Sequence, residues 1–121
     1  MNKSADRIST VRSLVRLSKS LKEIEADLKQ FIWDFKGSPY IAMRSDIIGV
    51  LEMYDQGRID RAEIEKWANM IEGREDVEFE AEYREKLLEV VYILANPVLQ
   101  GELTRERASE MIRSLKACAR P

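Results

Sequence analysis

Residues 56–61 read Gln56-Gly57-Arg58-Ile59-Asp60-Arg61, and residues 100–105 read Gln100-Gly101-Glu102-Leu103-Thr104-Arg105. Each stretch has the same order of parts. A glycine ends one helix, because it enters the left-handed region without a Cβ clash. A polar residue and an apolar one follow, and then an Asp or Thr whose side-chain oxygen can accept from the first free N–H groups of a new helix. The chain around them therefore reads as four helices joined by two similar turns. Two copies are too few for a solenoid. They predict two similar helical hairpins packed together, arising either by duplication or independently from common capping chemistry.

Working outward, Ser45 is placed to cap a helix from Asp46 to about Gln56, with Ile47, Ile48, Leu51 and Tyr54 on its apolar side. The next helix starts at Asp60, with Glu63 completing a capping box and Ile59 and Ile64 spaced as a hydrophobic staple. It turns Ile64, Trp67, Ala68 and Ile71 inward and ends at about Glu72, before Gly73. A further helix runs through Tyr83, Leu87, Leu88, Val91 and Leu94 to Asn96-Pro97. Thr104 caps the last one, which carries Ala108, Met111, Ile112 and Leu115. Between them, Val77-Glu78-Phe79-Glu80-Ala81-Glu82-Tyr83 alternates apolar and acidic residues, as a half-buried strand does. No other stretch reads as a partner strand, and a lone strand leaves its backbone unsatisfied. The expectation is a loop that enters a helix near Glu80.

Toward the N-terminus, Leu14, Leu17, Leu21, Ile24, Leu28, Phe31 and Phe35 recur at spacings of three and four. That is one stripe on a helix. Gly37 and Pro39 stop it. Ser20-Leu21-Lys22-Glu23 has the form of a capping box, which offers a break near Ser18, yet the stripe keeps phase across it. One long helix from about residue 5 to 36 is expected. Its stripe either faces the core of the same chain or forms a homodimer seam through Leu14, Leu17, Leu21, Ile24 and Leu28. The fold class is all-α: a small bundle of four to five helices, a long N-terminal helix plus two hairpins, in a single domain over residues 1–121.

The chemistry available is narrow. Of 121 residues none is histidine, so the usual general base and imidazole ligands are absent. The single cysteine, Cys118, can close no internal disulfide and no cysteine-rich metal site. Asp55-Gln56-Gly57-Arg58-Ile59-Asp60 lacks the alternating acids of a calcium loop, and no glycine-rich phosphate cradle occurs. Serines have no activating partner. The reading is therefore a non-enzyme with no cofactor and no metal. No apolar run approaches the roughly 18 residues of a membrane span, and the first residues lack the apolar stretch of a signal peptide. A cytoplasmic protein without a membrane association is expected.

Charge is uneven. Residues 1–30 carry seven Lys/Arg and four Asp/Glu, residues 44–82 carry five and twelve, and residues 105–120 carry five and two. The basic ends (Arg12, Arg16, Lys19, Lys22, Arg105, Arg107, Arg113, Lys116) could form a nucleic-acid patch if the first and last helices lay side by side. The chain's net charge is −2 and it has no recognised reader motif, so nucleic acid is not the favoured partner. The densest feature is acidic: Glu72, Glu75, Asp76, Glu78, Glu80 and Glu82 lie within eleven residues, with only Arg74 among them. Acids early in a helix suit its dipole, which accounts for Glu78, Glu80 and Glu82. Glu72, Glu75 and Asp76 follow a helix end, where acids are disfavoured. This run is either solvated surface or a docking face for a basic partner. Aromatic residues are frequent in interfaces; Trp67 reads as core and Tyr83 as the exposed candidate beside the acids.

The segment Arg44-Ser45-Asp46-Ile47-Ile48-Gly49-Val50-Leu51-Glu52-Met53-Tyr54, then Gln56 to Asp60, then Glu65 to Val77, Leu94-Ala95-Asn96-Pro97 and Gly101-Glu102-Leu103-Thr104, resembles a group of small helical bacterial proteins. The group is similar to immunity proteins that protect a cell from its own colicin-like or contact-delivered toxin. The resemblance covers about residues 40 to 116 and rests on a pattern of helix, glycine turn and acid-rich helix. It implies a cytoplasmic inhibitor that docks on a basic nuclease toxin, its acids standing in for nucleic-acid phosphates. Glu72, Glu75, Asp76, Glu78, Glu80, Glu82 and Tyr83 are the best match to such a face. The alternative is a structural or regulatory homodimer joined through the N-terminal stripe.

Overall fold

The structure is a computed structural model that describes residues 3–29, 31 and 38–117. The elements follow one another as α1 (Lys3–Arg16), α2 (Leu21–Leu28), β1 (Tyr40–Ala42), α3 (Arg44–Asp55), α4 (Arg61–Ile71), β2 (Val77–Phe79), a 3-10 turn (Ala81–Tyr83), α5 (Arg84–Ala95), the single turn α6 (Pro97–Gln100) and α7 (Arg105–Ala117). The fold is a mostly helical small bundle with one two-stranded sheet. Phe35, Gly37 and Cys118 lie outside the described residues.

The expected long N-terminal helix is two helices. Leu17 takes a left-handed conformation, φ 51°. Its N–H bonds to the Leu14 carbonyl at 3.1 Å, and that of Ser18 bonds to the Ser13 carbonyl at 3.0 Å. These two bonds make the Schellman ending normally built on glycine. Ser20 then caps α2, accepting from the Glu23 N–H. The Ser20 cap therefore decided the local structure, without the reciprocal backbone bond of a full capping box, and the apolar stripe kept its phase because α2 packs on α1. Leu14, Leu17, Leu21 and Ile24 are all buried in the chain's own core, and Leu28 packs against it.

The two turns behave as their sequence predicts. Gly57 and Gly101 have positive φ. Asp60 accepts from the Glu63 N–H at 2.8 Å while Glu63 accepts from the Asp60 N–H at 3.1 Å. Thr104 accepts from the Arg107 N–H. Ile59, Ile64, Leu103 and Ala108 are buried, as staples require. The turns also lie against each other: the Tyr54 hydroxyl donates to the Leu103 carbonyl, and Arg61 pairs with Glu102 at 2.7 Å. The helices they join are not each other's main neighbours. α3 packs chiefly on α7 and α4 on α5, while α1 touches both α3 and α4. Trp67 of α4 reaches α1, where its buried indole N–H donates to the Leu14 carbonyl at 2.8 Å.

The first part of the alternating segment, Val77–Phe79, is a strand and not a loop, while the chain enters a 3-10 turn after Glu80, where a helix was expected to begin. Val77 and Phe79 face the core and Glu78 faces out. β2 pairs in parallel with β1, Tyr40 opposite Val77, Ile41 opposite Glu78 and Ala42 opposite Phe79. A parallel pair needs a crossover of a dozen or more residues, and α3 with α4 supplies it. The first helix of that crossover starts earlier than expected. Met43, not Ser45, is the cap residue of α3, and the Asp46 carboxylate accepts from the Met43 N–H at 3.0 Å.

Candidate docking surface

The acidic run divides into two sets. Asp76 stands immediately before β2 with only 1% of its side chain exposed. It accepts from Arg7 Nε at 3.0 Å, Arg74 Nε at 2.7 Å and Arg74 Nη2 at 2.9 Å. Burial pushes its carboxyl pKa up, and the two guanidiniums more than reverse this, leaving it below the usual carboxylate range. Glu80 stands immediately after β2. Its Oε1 accepts from the Arg44 N–H at 2.9 Å, so it satisfies a free donor at the N-terminus of α3, where negative charge is favoured. Both residues were expected on a docking face; they are internal fasteners at the two ends of one strand.

Tyr83 was expected to be exposed and is half-buried. The Arg44 guanidinium lies 4.8 Å from its ring centroid and also donates to the Leu115 carbonyl at the end of α7. Burial and the neighbouring Glu82 raise the Tyr83 hydroxyl above the usual phenol range. Trp67, expected in the core, is fully buried.

Glu72, Glu75, Glu78 and Glu82 are exposed, and among the described residues none of them has an ion pair. Arg74, the one cation inside the run, spends its donors on Asp76. These four carboxylates follow the chain from the end of α4 across β2 into the 3-10 turn.

The surface continues onto α5 through residues that sequence reasoning missed. Glu85, Leu88, Glu89 and Tyr92 are exposed, and their spacing puts them on one helix face. Leu88 and Tyr92 are each 42% exposed. The core face of α5 is Leu87, Val90, Val91 and Leu94; Leu88 is about 100° round the helix from Leu87. That offset was available in the sequence and separates Leu88 from the inward set. Compared with protein families, curated proteins and solved structures, the chain matches none. Among the described residues the surface consists of four unbridged carboxylates leading to an apolar pair flanked by two more acids, of which Glu89 is bridged to Lys86 at 3.5 Å.

α1 and α7 are not principal neighbours, so the basic ends do not form a patch with these two helices as its packed sides. Arg16 instead donates to buried Asp46, and Tyr40 donates to the same carboxylate at 2.8 Å. Among the described residues no group of acidic or thiol side chains is placed to hold a metal, and no helix is long and apolar enough to cross a membrane. A seam through Leu14, Leu17, Leu21 and Ile24 would have to open the core that encloses them.

Proposed function

We propose that the chain is a binding protein of the immunity type, which docks on a cationic protein domain through Glu72, Glu75, Glu78 and Glu82 and neutralises it. The observation that supports this is the division of the acidic run. The fold uses Asp76 and Glu80 internally, yet it retains four exposed carboxylates in eleven residues, none of them in an ion pair among the described residues. Crowded like charges oppose folding, so a positive surface relieves a repulsion that the free protein carries. Complementary fields also accelerate encounter and reject wrong partners. Leu88 and Tyr92 add the apolar area that converts a steered encounter into a lasting contact. A basic nuclease fits both features, since its active site is built for a row of phosphates.

The test asks whether a reading frame beside this one encodes a protein with a cationic C-terminal domain, and takes that domain as the partner. Its association with this chain is followed by stopped-flow fluorescence at low and high salt. The triple variant Glu72→Lys, Glu75→Lys, Glu78→Lys should associate at least about tenfold more slowly at low salt while its circular dichroism is unchanged. An unchanged rate, or a neighbouring product that does not bind at all, overturns the proposal.

A further inference from the structure

The acidic surface begins at one end of α5; the most exposed apolar side chains lie beyond its other end. Val98 is 95% exposed and Leu99 72%. Both belong to the single turn α6, which is held out by Pro97 at its start and by Gly101, with φ 91°, at its finish. Nothing in a lone soluble chain favours placing Val and Leu side by side on such a knob.

Directly beside the knob is a cleft of about 180 Å³, to which Pro97 and Gly101 themselves contribute. Its floor is apolar, made by Ile64, Ile93, Leu94 and Leu103. A dry space of about 150 Å³ accepts a benzene ring, so this one accepts a branched aliphatic side chain. The rim carries Arg61, Arg107, Glu65 and Glu102, two cations and two anions.

We propose that the occupant of this cleft is Leu99, with Val98, of a second copy of the chain, in a two-fold symmetric dimer. A two-fold contact requires one patch to hold both a projection and its receptor, and here they are neighbours in the chain and in space. The charge-balanced rim can face itself without net repulsion. The Arg61–Glu102 pair is more than half exposed on each side, so it is weak within one chain and free to re-pair across the axis. The acidic run would oppose a dimer at its own end. It is separated from α6 by the twelve residues of α5, about 18 Å, which is roughly two Debye lengths at physiological salt. Of the proposed docking residues, Glu72, Glu75, Glu78 and Glu82 all precede α5 and lie outside the α6 contact.

Sedimentation equilibrium of the full chain from micromolar to millimolar concentration tests this. The mass should rise toward twice that of the monomer. Val98→Asp and Leu99→Asp, both in solvent-facing positions, should each weaken association at least tenfold with helical content unchanged. Ala62→Tyr, which narrows the cleft at an exposed lining residue, should do the same from the receptor side. A chain that stays monomeric throughout overturns the proposal. So does a dimer that survives the knob substitutions, or one that survives Ala62→Tyr.

Discussion

Asp76→Ala separates an internal fastener from a surface charge. The Asp76 carboxylate receives three N–H donors from Arg7 and Arg74, and Arg7 is only 12% exposed. Alanine removes the carboxylate that the two guanidiniums share. Removing one partner of a buried pair costs about 3–5 kcal/mol. Arg74 is 26% exposed and can turn toward water, so the lower end, about 3 kcal/mol, is expected. Native stability is about 5–15 kcal/mol, so the loss is a large share of it. Urea unfolding followed by tryptophan fluorescence measures the change, with Trp67 as a buried reporter. Glu75→Ala and Glu78→Ala, on either side in sequence and exposed, should fall within about 0.5 kcal/mol of the parent. Acid titration supplies a second reading. The folded pKa of Asp76 is depressed, so its contribution is fully present above the unfolded value, about 3.9, and fades as pH falls through the folded one. Asp76→Ala should flatten that part of the acid limb. If it behaves like Glu75→Ala in both measurements, the assignment of Asp76 as a clamp is wrong.

Two further substitutions weigh backbone against packing. Leu17→Gly removes a left-handed conformation that costs a leucine about 1–2 kcal/mol, but it also removes a side chain only 7% exposed, for which truncation costs about 2–5 kcal/mol. A net loss near 2 kcal/mol is expected in urea unfolding, and a stabilised variant would show that strain outweighs burial there. Gly49 and Gly57 should respond to alanine with opposite signs. Gly49 lies inside α3 with no atom close to an added Cβ, so Gly49→Ala should stabilise by about 0.5–1 kcal/mol, whereas Gly57→Ala, at φ 77° and 3.3 Å from Arg105 Nη2, should destabilise by about 1–2 kcal/mol. Shifts of equal sign in thermal unfolding would refute this.

The helices were legible because their ends carry side chains that act locally. Asp60 with Glu63 and Thr104 satisfy N–H groups within three residues of themselves, so sequence spacing suffices. The short sheet was not legible, although its signal was. Val77-Glu78-Phe79 alternates as a strand should, but its partner Tyr40-Ile41-Ala42 is three residues long and 37 positions earlier. Nothing local marks it. The N-terminal helix failed in the opposite direction. The stripe through Leu14, Leu21 and Ile24 reported burial correctly, but a stripe cannot tell one straight helix from two that fold back and use the same face. The candidate surface was half legible. Composition located the acids. Which of them are engaged internally depends on the Arg7 guanidinium and the Arg44 backbone N–H, both more than thirty residues away.

The two uses of the acidic run are physically connected. Asp76 and Glu80 tie down the two ends of β2, while Val77 and Phe79 are anchored in the core between them. Glu78 is therefore presented outward by a segment held at four consecutive points around it. Asp46, in the first turn of α3, repeats the device: it receives Arg16, the Tyr40 hydroxyl of β1 and the Met43 N–H, so α1 is clipped to the start of β2 through Arg7 and to the start of α3 through Arg16. Ordering a flexible segment on binding takes about 0.5–1.5 kcal/mol per long side chain. Glu78, on a backbone already held in place, avoids the backbone part of that loss. Asp76 and Glu80 thus stabilise the fold while fixing where Glu78 stands, which is the arrangement the proposed docking requires.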